Sequence, residues 1–159
     1  MVDDMTETSE DGNNQNKIKD FLKKIFEEKD VSKSEFIVAV IGNIIILYIV
    51  NSLLSWDLGF ITSAFQDVLW IFNISICATI IANLMFLAYH PGWFRSLVKI
   101  ILNTLSFLVC YYLYTIFPFI FSQAAYTIIL KIILIFGMVA LIIASLVEVL
   151  RLIFKIIKI

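Results

Sequence analysis

Four long apolar stretches constrain this chain of 159 residues more than any other feature. A helix rises about 1.5 Å per residue, and the hydrocarbon core of a bilayer is about 30 Å thick, so about 20 apolar residues cross it. The stretch 36–55 has no charged residue at all. The sequence predicts transmembrane helices at about 36–55, 68–89, 96–117 and 124–150.

The composition excludes the soluble classes of protein. Hydrophobic residues make up 61% of the chain and charged residues 16%, against about 45–50% and about 25% in a soluble domain. The net charge of −1 carries no basic signal for a nucleic-acid partner. We therefore expect an all-α, polytopic membrane protein, a bundle of four transmembrane helices with antiparallel neighbours.

The N-terminal part differs from the apolar domain at 32–159. Residues 1–15 are polar and acidic, which predicts a disordered tail. Residues 16–31 carry an apolar stripe at helical spacing, formed by Ile18, Phe21, Leu22, Ile25 and Phe26. Lysines surround this stripe, so 16–31 is predicted to be an amphipathic helix at the membrane interface; packing on a partner protein is the alternative.

The distribution of Lys and Arg predicts the orientation. Six lysines precede the first span, and Arg95 and Lys99 stand at the start of the third. The C-terminal end is basic as well, with Arg151, Lys155 and Lys158. Basic residues favour the cytoplasmic side, and an even number of spans places both termini on one side. We predict a multi-pass protein of the cell membrane with cytoplasmic N- and C-termini.

Polar residues inside the predicted spans are the candidate functional residues. They are Asn43, Asn51, Asn73, Asn83, Asn103, Lys131 and Glu148. Such groups are costly in a bilayer and tend to face other helices or a cavity. Two interpretations remain open: hydrogen bonds that hold helices together, or a polar path for a solute.

Two of these residues have predicted ionic partners. Lys131 lies about 12 Å along its helix from the predicted outer end. We expect it to form an ion pair with Asp67 near the outer leaflet. Glu148 stands three residues before Arg151, a spacing that favours a local ion pair.

The link after the second span is the richest in chemical groups. His90 titrates near neutrality, Trp93 favours the headgroup level, and Arg95 can contact a lipid phosphate. The sequence predicts a cytoplasmic turn here, anchored by the tryptophan.

No catalytic pattern emerges from the sequence. Catalysis requires a nucleophile with a base, paired carboxylates or a metal. The chain has one histidine, and its two cysteines, Cys77 and Cys110, lie apart in apolar stretches. We expect no enzyme, no cofactor and no metal.

The remaining functions are interaction and transport. We expect a small structural or interaction protein, an accessory subunit or membrane organiser acting at the cytoplasmic face. Its expected partners are membrane lipids, anionic lipid among them, and a second copy or another membrane protein. The alternative is an oligomeric channel or transporter subunit that uses the intramembrane asparagines and Lys131.

Overall fold

The structure of the protein is a computed structural model. It describes residues 16–17, 32–89 and 91–157. The chain divides into two units, Met1–Asp30 and Val31–Ile159, and the long helices belong to the second. The predicted tail 1–15 lies outside the described residues, and so does the predicted amphipathic helix 16–31 apart from its first two residues. Both stay predictions.

Four long helices make up the second unit. They are α1 (Lys33–Ser52), α2 (Gln66–Ala88), α3 (Gly92–Ile116) and α4 (Ala124–Ile157). A short 3-10 turn, Ser63–Phe65, leads into α2. All four are long and apolar enough to cross a membrane. The prediction of an all-helical chain with four such helices is confirmed.

Some boundaries differ from the predicted ones. Helix α1 lies three residues earlier than predicted, directly after Ser32, with Glu35 in the first turn, where the helix dipole favours a carboxylate. Helix α4 continues past Leu150 to Ile157 because no proline interrupts it and its basic last turn suits the negative end of the dipole. The predicted spans cover the apolar stretches, whereas the helices also include polar and charged residues at these two ends.

Consecutive helices pack against each other in antiparallel pairs. The Phe36 ring at the start of α1 lies 5.6 Å from the Phe86 ring at the end of α2, centroid to centroid. Trp70 near the start of α2 contacts Tyr112 near the end of α3, at 5.3 Å between ring centroids. Within the described part of the chain, extensive contact joins α1 to α2, α2 to α3 and α3 to α4. The helices thus pack mainly in the order of the chain, and no extensive α1–α4 contact that would close a bundle is present among the described residues.

Much of the apolar surface faces outward. Buried apolar side chains form two small clusters, one around Phe65 and Val68 and one around Phe36 and Phe86. Exposed large apolar residues instead run along α1 and α4, for example Tyr48, Ile128 and Phe136. A surface of this kind marks contact with a membrane or with another protein.

One end of the unit is formed by the links 53–65 and 117–123, which we call the aromatic end. Two backbone hydrogen bonds join these links: Thr62 N to Pro118 O at 3.0 Å and Ile120 N to Phe60 O at 2.9 Å. The rings of Phe60 and Phe121 stack beside them, with centroids 6.4 Å apart. Backbone pairing and ring contact therefore fix the two links to each other.

Candidate functional site

Five charged side chains lie where α3 begins and α4 ends, opposite the aromatic end. They are Arg95 and Lys99 of α3 and Glu148, Arg151 and Lys155 of α4, and we call this set the charged end. On α4 the spacing i, i+3, i+7 places Glu148, Arg151 and Lys155 on one face. Because α3 and α4 are antiparallel, this face meets the first turns of α3.

Glu148 is the centre of the charged end. It is only 6% exposed. Its Oε1 accepts a hydrogen bond from Arg151 Nη1 at 2.8 Å, so the pair expected from their spacing is present. The same oxygen lies 3.4 Å from Lys99 Nζ on the neighbouring helix. One buried carboxylate thus contacts two cations, and the contact with Lys99 was not predicted.

Lys155 joins the end of α4 to the start of α3 by hydrogen bonds. Its Nζ donates to Gly92 O at 3.0 Å and to Ser96 Oγ at 3.4 Å. Gly92 permits this close approach, since a Cβ at that position would lie 3.0 Å from Lys155 Nζ. Ser96 is fully buried at the contact.

The predicted cytoplasmic turn is shorter than expected. His90 lies outside the described residues, and so does Lys158. Trp93 and Arg95 belong to the first turn of α3, because Pro91 occupies the position before the helix and Gly92 begins it. Proline is tolerated at a helix start, where its missing N–H is not needed. Trp93 is exposed, whereas Arg95 is buried one turn before Lys99.

Lys131 has an aromatic environment. Its Nζ lies 4.9 Å from the centroid of the Phe117 ring and 6.0 Å from that of Tyr114. The structure does not bring Lys131 together with Asp67: no ion pair joins them in the described part of the chain. The reason is that α4 packs against α3, whereas Asp67 lies in the first turn of α2. The predicted ion pair is replaced by a cation–π contact.

Four of the five asparagines in the predicted spans form hydrogen bonds within the first two helices. Asn51 and Asn73 hydrogen-bond to each other, at 2.7 Å and 3.1 Å, and join α1 to α2. Asn43 Nδ2 donates to Ala39 O and Asn83 Nδ2 to Thr79 O, each at 2.7 Å within its own helix. The Asn51–Asn73 contact supports the helix-packing interpretation for these two residues, whereas the bonds of Asn43 and Asn83 stay within one helix.

Asn103 differs from the other asparagines, since its side chain makes no hydrogen bond to any described residue. It lines an open groove of about 240 Å³ between α3 and α4, which we call the α3/α4 groove. The lining residues are Asn103, Thr104 and Phe107 of α3 and Leu141, Ile142, Ser145 and Leu146 of α4. Asn103 lies one helical turn from Lys99, and Ser145 lies three residues before Glu148. The groove therefore begins beside the charged end.

No cluster of metal-ligating residues was found among residues 32–89 and 91–157, where no three His, Cys, Asp or Glu side chains group together. The predicted absence of a catalytic or cofactor site stays a prediction. No family model, no curated protein and no solved structure matches this chain.

Proposed function

We propose that the chain is a small integral membrane protein of the structural or interaction type, an accessory subunit or membrane organiser acting at the cytoplasmic face of the cell membrane. The charged end carries this proposal. It concentrates five charged side chains at one end of the α3/α4 pair, whereas the opposite end is formed by aromatic links.

The spacing of charges along α3 and α4 fits a bilayer. Between Lys131 and Glu148 the chain has no charged residue, and at about 1.5 Å per residue this separation is about 26 Å. On α3, Lys99 and Phe117 are about 27 Å apart by the same rule. Because Lys131 contacts Phe117 and Glu148 contacts Lys99, both helices present an uncharged segment close to the 30 Å core thickness.

The two ends differ in charge, and this difference supports an orientation with the charged end on the cytoplasmic side of the membrane. Four of its five charged side chains are cationic, and cationic residues favour the cytoplasmic side of a span. Two acidic residues, Asp57 and Asp67, lie near the aromatic end. Lys131 is a cationic residue near the same end. With this orientation the start of α1 and the end of α4 face the cytoplasm.

The sequential packing of the helices supports a role in assembly. Helices α1 and α4 each contact one neighbouring helix extensively within the described chain. Their other faces are apolar and exposed, so they are available to lipid or to a membrane partner.

Native mass spectrometry of the particle, extracted gently from its own membrane, tests the role. Other polypeptides in the particle at fixed stoichiometry would support an accessory subunit. A chain that carries neither another polypeptide nor retained lipid would contradict the proposal.

Cysteine labelling in intact cells tests the orientation separately. In a background of Cys77→Ala and Cys110→Ala, Ser55→Cys samples the aromatic end and Ile156→Cys samples the charged end; both positions are exposed. A membrane-impermeant maleimide should label Ser55→Cys and leave Ile156→Cys unlabelled until the cells are opened. The reverse pattern would overturn the orientation.

The α3/α4 groove favours a second candidate, an oligomeric channel or transporter subunit. Asn103, Thr104 and Ser145 give the groove polar groups that another copy could complete into a path. Ion flux into liposomes containing the purified chain tests this candidate. Flux that disappears in Asn103→Leu would favour it over the interaction role.

A further inference from the structure

We propose that two copies of the chain, inserted in the same orientation, associate through the α3/α4 groove, with their Asn103 amides hydrogen-bonded to each other across a two-fold axis. The inference rests on the proposed function in one respect, which is that α3 and α4 cross the bilayer. It adds the partner of this face of the pair, a second copy of the same chain.

The Asn103 amide is the group in the groove that needs a partner. Its side chain is half-buried and forms no hydrogen bond within the described part of the chain. Asn103 lies one helical turn beyond Lys99, so it is about 6 Å deeper in the span. An amide at such a depth is removed from the water that would otherwise bind it, and an unmade hydrogen bond there is costly. The amide therefore favours an occupant that can both donate and accept.

The other short polar side chains of the groove do not bind this amide. Thr104 Oγ1 donates to Ile100 O at 2.9 Å, within its own helix. Ser145 lines the groove from α4, and its hydroxyl forms no hydrogen bond among residues 32–89 and 91–157. Short side chains of this kind let helices approach closely in a bilayer. The groove thus combines an unpaired amide with access for a further helix.

The chain already contains a contact of the proposed kind between two of its own helices. Asn51 Nδ2 donates to Asn73 Oδ1 at 2.7 Å, and Asn73 Nδ2 donates to Asn51 Oδ1 at 3.1 Å. Two amides can bind each other in this way because each has a donor and an acceptor. An acyl chain of a lipid has neither. The same reciprocal arrangement between two Asn103 side chains would give each amide both of its partners.

Equal depth in the membrane favours a second copy as the occupant. Two copies with the same orientation hold Asn103 at the same depth, and a two-fold axis along the membrane normal brings this residue of each copy together. Ile142 and Leu146 line the groove and are 49% and 59% exposed, so they are available to pack on the second copy around the amides. Each copy then uses the same groove, as an isologous contact requires.

Energy transfer between labelled copies in liposomes tests the proposal. The full chain with Cys77→Ala, Cys110→Ala and Ser55→Cys carries a donor or an acceptor dye, and the protein-to-lipid ratio is varied. We expect a monomer–dimer equilibrium. Loss of two interhelical hydrogen bonds in Asn103→Leu should raise its dissociation constant about sevenfold. The matched control Asn83→Leu removes an amide whose bond stays within α2, so it should leave the constant unchanged. An equal constant in these two variants would overturn the proposal.

Disulfide formation tests the two-fold axis. In a background of Cys77→Ala and Cys110→Ala, Asn103→Cys places a thiol of each copy at the proposed axis. The control Asn83→Cys places it at a half-buried position of α2. A disulfide requires Cβ atoms within about 4.5 Å. Copper phenanthroline, at a protein-to-lipid ratio where the dimer dominates, should therefore cross-link Asn103→Cys and leave Asn83→Cys uncross-linked. Equal cross-linking of the two variants would overturn the proposed axis.

A third pair of variants keeps every amide. Ile142→Trp puts a bulky ring into the groove, whereas Ile41→Trp adds the same ring on α1, at a residue that is 54% exposed. We expect Ile142→Trp to weaken association at least as much as Asn103→Leu and Ile41→Trp to leave it unchanged. Weaker association in Ile41→Trp alone would place the contact on α1 and overturn the proposal.

Failure of this inference is distinct from failure of the proposed function. These experiments use the purified chain alone, whereas the proposed function is tested on the particle extracted from its own membrane. A chain that stays monomeric in liposomes but is extracted with another polypeptide would overturn the self-association and support the accessory role.

Discussion

The two ends of the α3/α4 pair each place a lysine of α4 against α3, but with different chemistry. At the charged end Lys155 donates to a carbonyl and a hydroxyl oxygen, beside a buried carboxylate that contacts two more cations. At the aromatic end Lys131 lies over the rings of Phe117 and Tyr114. One end of the pair therefore depends on charge and hydrogen bonds, and the other depends on ring packing.

The largest expected effect comes from removing the carboxylate at the charged end. Glu148→Gln leaves Lys99 and Arg151 without their shared anion. We expect a loss of about 2–3 kcal/mol in the free energy of unfolding, less than the about 3–5 kcal/mol for a fully buried pair because Lys99 remains partly exposed. Thermal unfolding in detergent measures the change. An unaltered stability of Glu148→Gln would show that the charged end does not hold the helices together.

A smaller loss is expected when the lysine at this end is replaced. Lys155→Met keeps the apolar stem but removes the donors to Gly92 O and Ser96 Oγ. One such contact contributes about 1 kcal/mol net, and unfolding in detergent again measures it. The matched control is Lys155→Arg, which retains the charge and donors and should recover part of the loss. A loss as large in Lys155→Arg as in Lys155→Met would contradict the hydrogen-bond explanation.

The lysine at the aromatic end should matter less. Lys131→Met removes the cation above Phe117, and a cation–π contact contributes about 0.5–1 kcal/mol at an exposed site. A double-mutant cycle with Phe117→Leu isolates this contact. Added salt should weaken the ion pairs of the charged end more than it weakens this contact. The reverse salt dependence would erase the distinction between the two ends.

The helices could be predicted from the sequence. The contacts between α2 and α3 and between α3 and α4 could not. Long charge-free stretches fix the number and approximate position of helices, and the spacing of Glu148 and Arg151 fixes a local pair. The contact of Glu148 with Lys99 depends on how α4 is rotated and shifted along α3. Between Ala124 and Val147 the one charged residue of α4 is Lys131, so the charge pattern of this part does not show which face of α4 meets α3.

The same reasoning explains why the predicted partner of Lys131 was wrong. Asp67 is an acid on the expected side of the membrane, but that position does not indicate which helices are neighbours. The separations from Lys131 to Glu148 and from Phe117 to Lys99, about 26 and 27 Å, contained usable information. Once Glu148 is placed beside Lys99 in an antiparallel pair, these equal separations place Lys131 beside Phe117.

The smallest expected effect comes from removing the carboxylate at the start of α2. Asp67→Asn removes only the favourable interaction of a carboxylate with the start of α2, about 0.3 kcal/mol at an exposed position. Combined with Lys131→Met, its effect should simply add to that of the lysine change, because the two side chains have no contact. Stability of the two single variants and the double variant measures the coupling. A coupling comparable to that between Lys131 and Phe117 would restore the ion pair and would require α4 to turn toward α2, which would also separate Glu148 from Lys99.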